Sequence, residues 1–61
     1  MPYYEAYVLT EDDHISAPPH IIACGTDQEA IQRSTKLVNG HDIELWEGPR
    51  LVTRLKSGTN D

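Results

Sequence analysis

Sixty-one residues carry ten acidic and five basic side chains, for a net charge of −5, with one Cys and no Phe. A chain this short forms one small domain, holds no internal disulfide and buries only about 60% of the surface its unfolded form exposes. Its Lys and Arg are scattered rather than clustered, so binding to nucleic acid or to an anionic membrane surface is not expected.

The first strand is read over residues 3–10, Tyr-Tyr-Glu-Ala-Tyr-Val-Leu-Thr, because Tyr and Val suit a pleated surface. Its two faces are Tyr4-Ala6-Val8 and Tyr3-Glu5-Tyr7-Leu9, both largely apolar, which predicts a central strand or one whose outer face is covered. The small Ala6 is expected beneath a helix. Glu11-Asp12-Asp13 is the following turn, with Asp13 suited to left-handed backbone. A return strand is expected within residues 14–24, interrupted by Pro18-Pro19, with Ile21, Ile22 and Ala23 as its buried part. Two prolines cannot donate to a ladder, so this strand belongs on an edge, where they also guard against unwanted pairing.

Thr26 followed three residues later by Glu29 is a capping box, and it opens a helix expected over about 27–38. Asp27 and Glu29 suit the positive end of the helix dipole. Ala30, Ile31, Ser34, Leu37 and Val38 share one stripe at helical spacing, and Glu29–Arg33 is a favourable pair one turn apart. Asn39-Gly40 is expected to end the helix, with Gly40 left-handed.

Residues 42–46 and 51–55 are rich in branched and aromatic side chains and flank Gly48-Pro49, a hairpin signal. A Glu47-Gly48 turn would need the missing amide of Pro49 as a donor. A Gly48-Pro49-Arg50 loop is therefore expected, with Glu47 opposite Leu51, Trp46 opposite Val52, Glu44 opposite Arg54 and Ile43 opposite Leu55. A four-residue loop that includes Glu47 is the alternative. The core face would be Ile43, Leu45, Leu51, Thr53 and Leu55, leaving Glu44, Trp46, Val52 and Arg54 on the other. Residues 57–61 read as a frayed tail, so the domain is 1–56.

The element order is ββαββ, an α+β fold: a four-stranded antiparallel sheet with one helix on one face. Strand order 2-1-3-4 is expected, with 2-1-4-3 as the alternative. The pattern Tyr4 to Leu9, Glu29-Ala30-Ile31 and Gly40 to Leu55, above all Glu44-Leu45-Trp46-Glu47-Gly48 with Arg50, resembles short uncharacterised bacterial proteins of about this length. Those carry a Gly in the first turn, where Asp13 and His14 stand here. The resemblance implies this fold and a bacterial cytoplasmic setting, and it brings no activity.

Motifs for catalysis are lacking. His20 and Cys24 have a zinc-like spacing but fall in a strand, some ~13 Å apart. Cys24 precedes a helix N-terminus, which can activate a thiol, yet no base is placed beside it. No catalytic, metal or cofactor residue is assigned. The Met-Pro-Tyr-Tyr-Glu start lacks the basic and apolar parts of a secretory signal, and a lone Cys fits a reducing compartment, so a cytoplasmic protein is expected. Two functions are carried forward. One is a non-enzymatic interaction module, a homodimer joined through an uncovered sheet face bearing Tyr3, Tyr7, Leu9, Trp46 and Val52, with a different protein partner as the alternative occupant. The other is a small enzyme, or a ligand or metal binder, with a site at a subunit interface that uses Asp13, His14, Cys24 or His41.

Overall fold

The strand β1 spans Tyr3–Val8, two residues shorter than the expected 3–10, and it is central, as its two apolar faces predict. In the computed structural model, which describes residues 2–10, 12, 14–15, 17–38 and 40–57, β1 pairs on one side with β2 (His20–Ala23) and on the other with β3 (Ile43–Glu47). β4 (Arg50–Leu55) completes an antiparallel sheet of order β2-β1-β3-β4. The helix α1, Asp27–Thr35, lies against one face. Tyr4, Ala6, Ile22, Cys24, Ala30, Ile43 and Leu45 form the buried cluster between helix and sheet. Ala6 and Ala30 are both fully buried there, and the lack of bulk at these positions lets the two layers approach closely. Glu11 and Asp13 of the expected first turn lie outside the described residues.

β2 is an edge strand, as its prolines require, but it begins only at His20. Upstream of Pro18-Pro19, strand pairing among the described residues is limited to a single Leu9–Ile15 bridge. The expected buried run Ile21-Ile22-Ala23 is corrected to Ile22 alone; Ile21 and Ala23 are exposed. A sheet covered on one side buries alternate residues, and Ile22 shares the helix side with its partner Tyr4.

Thr26 caps α1 as expected. Its Oγ1 accepts from the Glu29 amide at 3.1 Å, while Glu29 reaches back to the Gly25 amide and also pairs with Arg33. The helix ends at Thr35, three residues before the predicted boundary. Thr35 Oγ1 donates to the Ile31 carbonyl at 2.8 Å, a back-bond that competes with regular helix. The next amides then bond three residues back, Leu37 to Ser34 and Val38 to Thr35, a tightened last turn. Leu37 and Val38 leave the helix but still pack on the core. Gly40 does take left-handed backbone, φ +83, in the turn towards β3 rather than directly after the helix; Asn39 lies outside the described residues.

The β3–β4 hairpin differs from the expected register near its tip. The loop has two residues, Gly48-Pro49, closed by Glu47 opposite Arg50. Gly48 has φ +57, and Pro at the second loop position leaves the closing donor to Arg50, an arrangement suited to a II′-type turn. The offset is absorbed at an irregularity between Leu45 and Trp46, which face Thr53 and Leu51. Val52 is the extra residue of this bulge. Ile43–Leu55 and Glu44–Arg54 pair as predicted, but Trp46 faces Leu51 rather than Val52. Val52 packs against the core, and Leu51 is 49% exposed, the reverse of the expectation.

Candidate functional site

One face of the sheet is covered by α1. On the other, alternation places Tyr3, Glu5 and Tyr7 of β1, Ile21 and Ala23 of β2, Glu44 and Trp46 of β3, and Leu51 and Arg54 of β4. Among the described residues no helix or strand packs over this side. Two rows cross it. Ile21, Glu5, Trp46 and Leu51 are register partners in turn, one from each strand, and Tyr7, Glu44 and Arg54 make the second row. Tyr3 is 67% exposed and Ile21 59%, while Trp46 and Tyr7 are half-buried. The Trp46 indole is fixed in the row below, where its Nε1–H donates to Glu44 Oε1 at 3.2 Å. Arg54 donates to Asp42 at 3.1 Å.

Of the five residues assigned to this face from sequence, the structure brings together Tyr3, Tyr7 and Trp46. Leu9 is 2% exposed; it lies just beyond β1, its amide bonded to the Asp42 carbonyl, and its side chain is not available at the surface. Val52 is turned inward by the bulge. Ile21 and Leu51 take their places. Ile21 was legible through strict alternation from Tyr4's partner Ile22. Leu51 was not, because nothing in the hairpin's composition announces an extra residue at position 52.

The opposite, helix-covered face holds a polar network at its rim. The buried Tyr4 hydroxyl donates to Asp27 Oδ1 at 2.6 Å, and Arg50 grips the same carboxylate with both terminal nitrogens, at 3.1 and 2.9 Å, while also bonding Glu47. Donation to Asp27, aided by burial, pushes the Tyr4 pKa up to about 12. The Arg50 and Tyr4 hydrogen bonds hold Asp27 below the usual carboxylate range. This network ties the hairpin tip to the first helical turn. Asp42 does a similar service at the far end of the sheet. It accepts from the Ser57 amide and from Arg54, and these bonds, in that order, lower its pKa.

The residues of the alternative, catalytic reading are dispersed. Cys24 is buried in the core, its thiol against the Thr26 carbonyl at 3.4 Å, at the end of the sheet where its amide bonds Pro2. His14 sits beside Thr10 at the other end of β1, roughly 20 Å away along the strand. His41 is exposed near that same end, and Asp13 lies outside the described residues. Among the described residues no three His, Cys, Asp or Glu side chains cluster as metal ligands, and no helix is long and apolar enough to cross a membrane. No protein-family model, curated protein or solved structure matches the chain.

Proposed function

We propose that the protein is a small non-enzymatic interaction module that acts as a homodimer, joined through its open sheet face, in a bacterial cytoplasm. The observation that carries this reading is the set Tyr3, Tyr7, Ile21, Trp46 and Leu51 on one face, with Glu5 and Glu44 set among them; Tyr3, Ile21 and Leu51 are about half exposed or more. Patches of this kind mark interaction sites more often than scattered apolar groups do, and Trp and Tyr are the residues that interface cores favour. Four strands by about five residues give a face of ~19 by ~17 Å, or ~320 Å² in projection per copy. Two copies would bury less than the ~1,200 Å² at which standard stable interfaces begin, a size suited to a weak or transient contact. Association entropy offsets much of the gain, so a micromolar dissociation constant is expected.

Sedimentation velocity from 1 to several hundred µM tests this reading (a span chosen for micromolar association). A monomer–dimer equilibrium is expected, and Trp46→Ala should shift it towards monomer by at least about tenfold in Kd, as loss of a central aromatic anchor does. A wild-type protein that stays monomeric throughout overturns the proposal.

A further inference from the structure

The register of the open face fixes how a second copy fits it. The long row runs Ile21, Glu5, Trp46, Leu51, one residue from each of the four strands, and its two ends are the exposed aliphatics, Ile21 at 59% and Leu51 at 49%. A two-fold dimer is isologous: whatever residue i meets, its own counterpart meets in return. A two-fold axis parallel to the strands and midway between β1 and β3 exchanges the ends of each row. It sets Ile21 of one copy on Leu51 of the other, twice, and lays each Glu5 against Trp46 of the second copy and each Glu44 against Tyr7. All four strands overlap, the two exposed aliphatics cover one another, and no carboxylate faces a carboxylate.

The other two-fold axes along or across the strands do worse. Parallel to the strands and centred on β1, the axis stacks Glu5 on Glu5; centred on β3, it stacks Glu44 on Glu44. Midway between β3 and β4 it pairs Glu44 with Arg54 and Trp46 with Leu51, but only those two strands overlap and Ile21 stays uncovered. Run across the strands through Trp46, it stacks Glu5 on Glu5; through the second row, it stacks Glu44 on Glu44 and Arg54 on Arg54. Midway between the rows it avoids like charges but sets Leu51 against Arg54. Like charges placed face to face at a desolvated contact are strongly unfavourable, and an aliphatic against a guanidinium forfeits apolar burial.

We infer that the occupant of the open face is a second copy docked about the strand-parallel axis between β1 and β3, with Ile21–Leu51 contacts at both margins of the interface. This rests on the homodimer reading above and adds the arrangement to it. The two aliphatics are exposed in the single chain, so charged replacements at either position leave its core intact.

The test pairs Ile21→Lys with Leu51→Glu. Each variant alone sets a charge on an aliphatic at both margins, and its self-association should weaken by at least about tenfold. Mixed in equal amounts, the two should form a heterodimer within about threefold of the wild-type Kd, because one margin becomes a Lys–Glu pair and the other stays Ile–Leu. Circular dichroism melts at low concentration confirm that each variant folds. Wild-type dimers whose two variants do not recover on mixing overturn the axis while self-association stands. Tighter homodimerisation of Leu51→Glu overturns it as well, since that result puts residue 51 against Arg54. A wild-type monomer removes the homodimer reading and this inference together.

Discussion

Ser34 illustrates how a single atom can be out of step with its surroundings. The residue is fully buried under the helix, and its Oγ has no hydrogen-bond partner among the described residues. A buried hydroxyl without a partner is destabilising, and Ala is the better helix former. Ser34→Ala should therefore raise stability by about 1 kcal/mol, read as a shift of the urea midpoint at constant slope. A loss of stability would mean that the hydroxyl is satisfied. The sequence showed that Ser34 belongs to the apolar stripe, since its spacing from Ala30 and Val38 is helical. It could not show that the Oγ lacks a partner, because satisfaction is a matter of tenths of an ångström. Thr26 was the opposite case: its partner, the Glu29 amide, is set by local spacing alone, and the cap is where that spacing puts it.

At the level of elements, sequence reasoning worked wherever periodicity and local chemistry agree. The α1 N-terminus, the β1 alternation and the β2-β1-β3-β4 order follow from the Thr26–Glu29 spacing, the two apolar faces of residues 3–9 and the edge-forming prolines. The hairpin shows the limit. Pro49 correctly excludes a Glu47-Gly48 turn, yet it is equally content as the second residue of a Gly48-Pro49 loop, and that choice moves the tip by one residue. A bulge then restores the outer pairs Glu44–Arg54 and Ile43–Leu55, so the far end of the hairpin carries no trace of the change. The exchange of Val52 and Leu51 has a measurable signature. Val52→Ala should cost about 1–2 kcal/mol of stability, as partial deletion of a core side chain does. Leu51→Ala should stay within about 0.5 kcal/mol in dilute protein yet weaken the proposed dimer. Equal and opposite results from chemical denaturation would return the two residues to the faces that simple alternation predicts.

For the whole molecule, the two ionic ties bracket the range of pH in which the fold is most stable. The pKa values of Asp27 and Asp42 are lowered in the folded state. Their contribution is complete above the unfolded carboxylate value of about 4 and is lost as pH falls below it through the native values. Tyr4 acts in the other direction. Its folded value of about 12 lies above the unfolded value of about 10, so its contribution is intact below about pH 10 and is lost between the two. Thermal melts from pH 2.5 to 11.5 should thus show a plateau with shoulders on both sides. Asp42→Asn should flatten the acid shoulder, and Tyr4→Phe the alkaline one. An alkaline shoulder that survives Tyr4→Phe would assign it to another group.

The bulge at Val52 has a consequence for growth as well as for packing. A sheet can be extended sideways wherever it offers a straight ladder of unpaired amides and carbonyls, and that is how soluble domains turn into fibres. Here one lateral border is the four-residue β2, preceded by two prolines. The other is β4, kinked at Val52 and bearing Arg50 and Arg54. Both borders are poor templates for another strand, whereas the open face carries the exposed side chains of Tyr3, Ile21 and Leu51. Addition would thereby be directed out of the plane of the sheet, and in the proposed dimer, once two faces had closed on one another, neither copy would have a further surface of that kind to offer. Such a particle would stop at two.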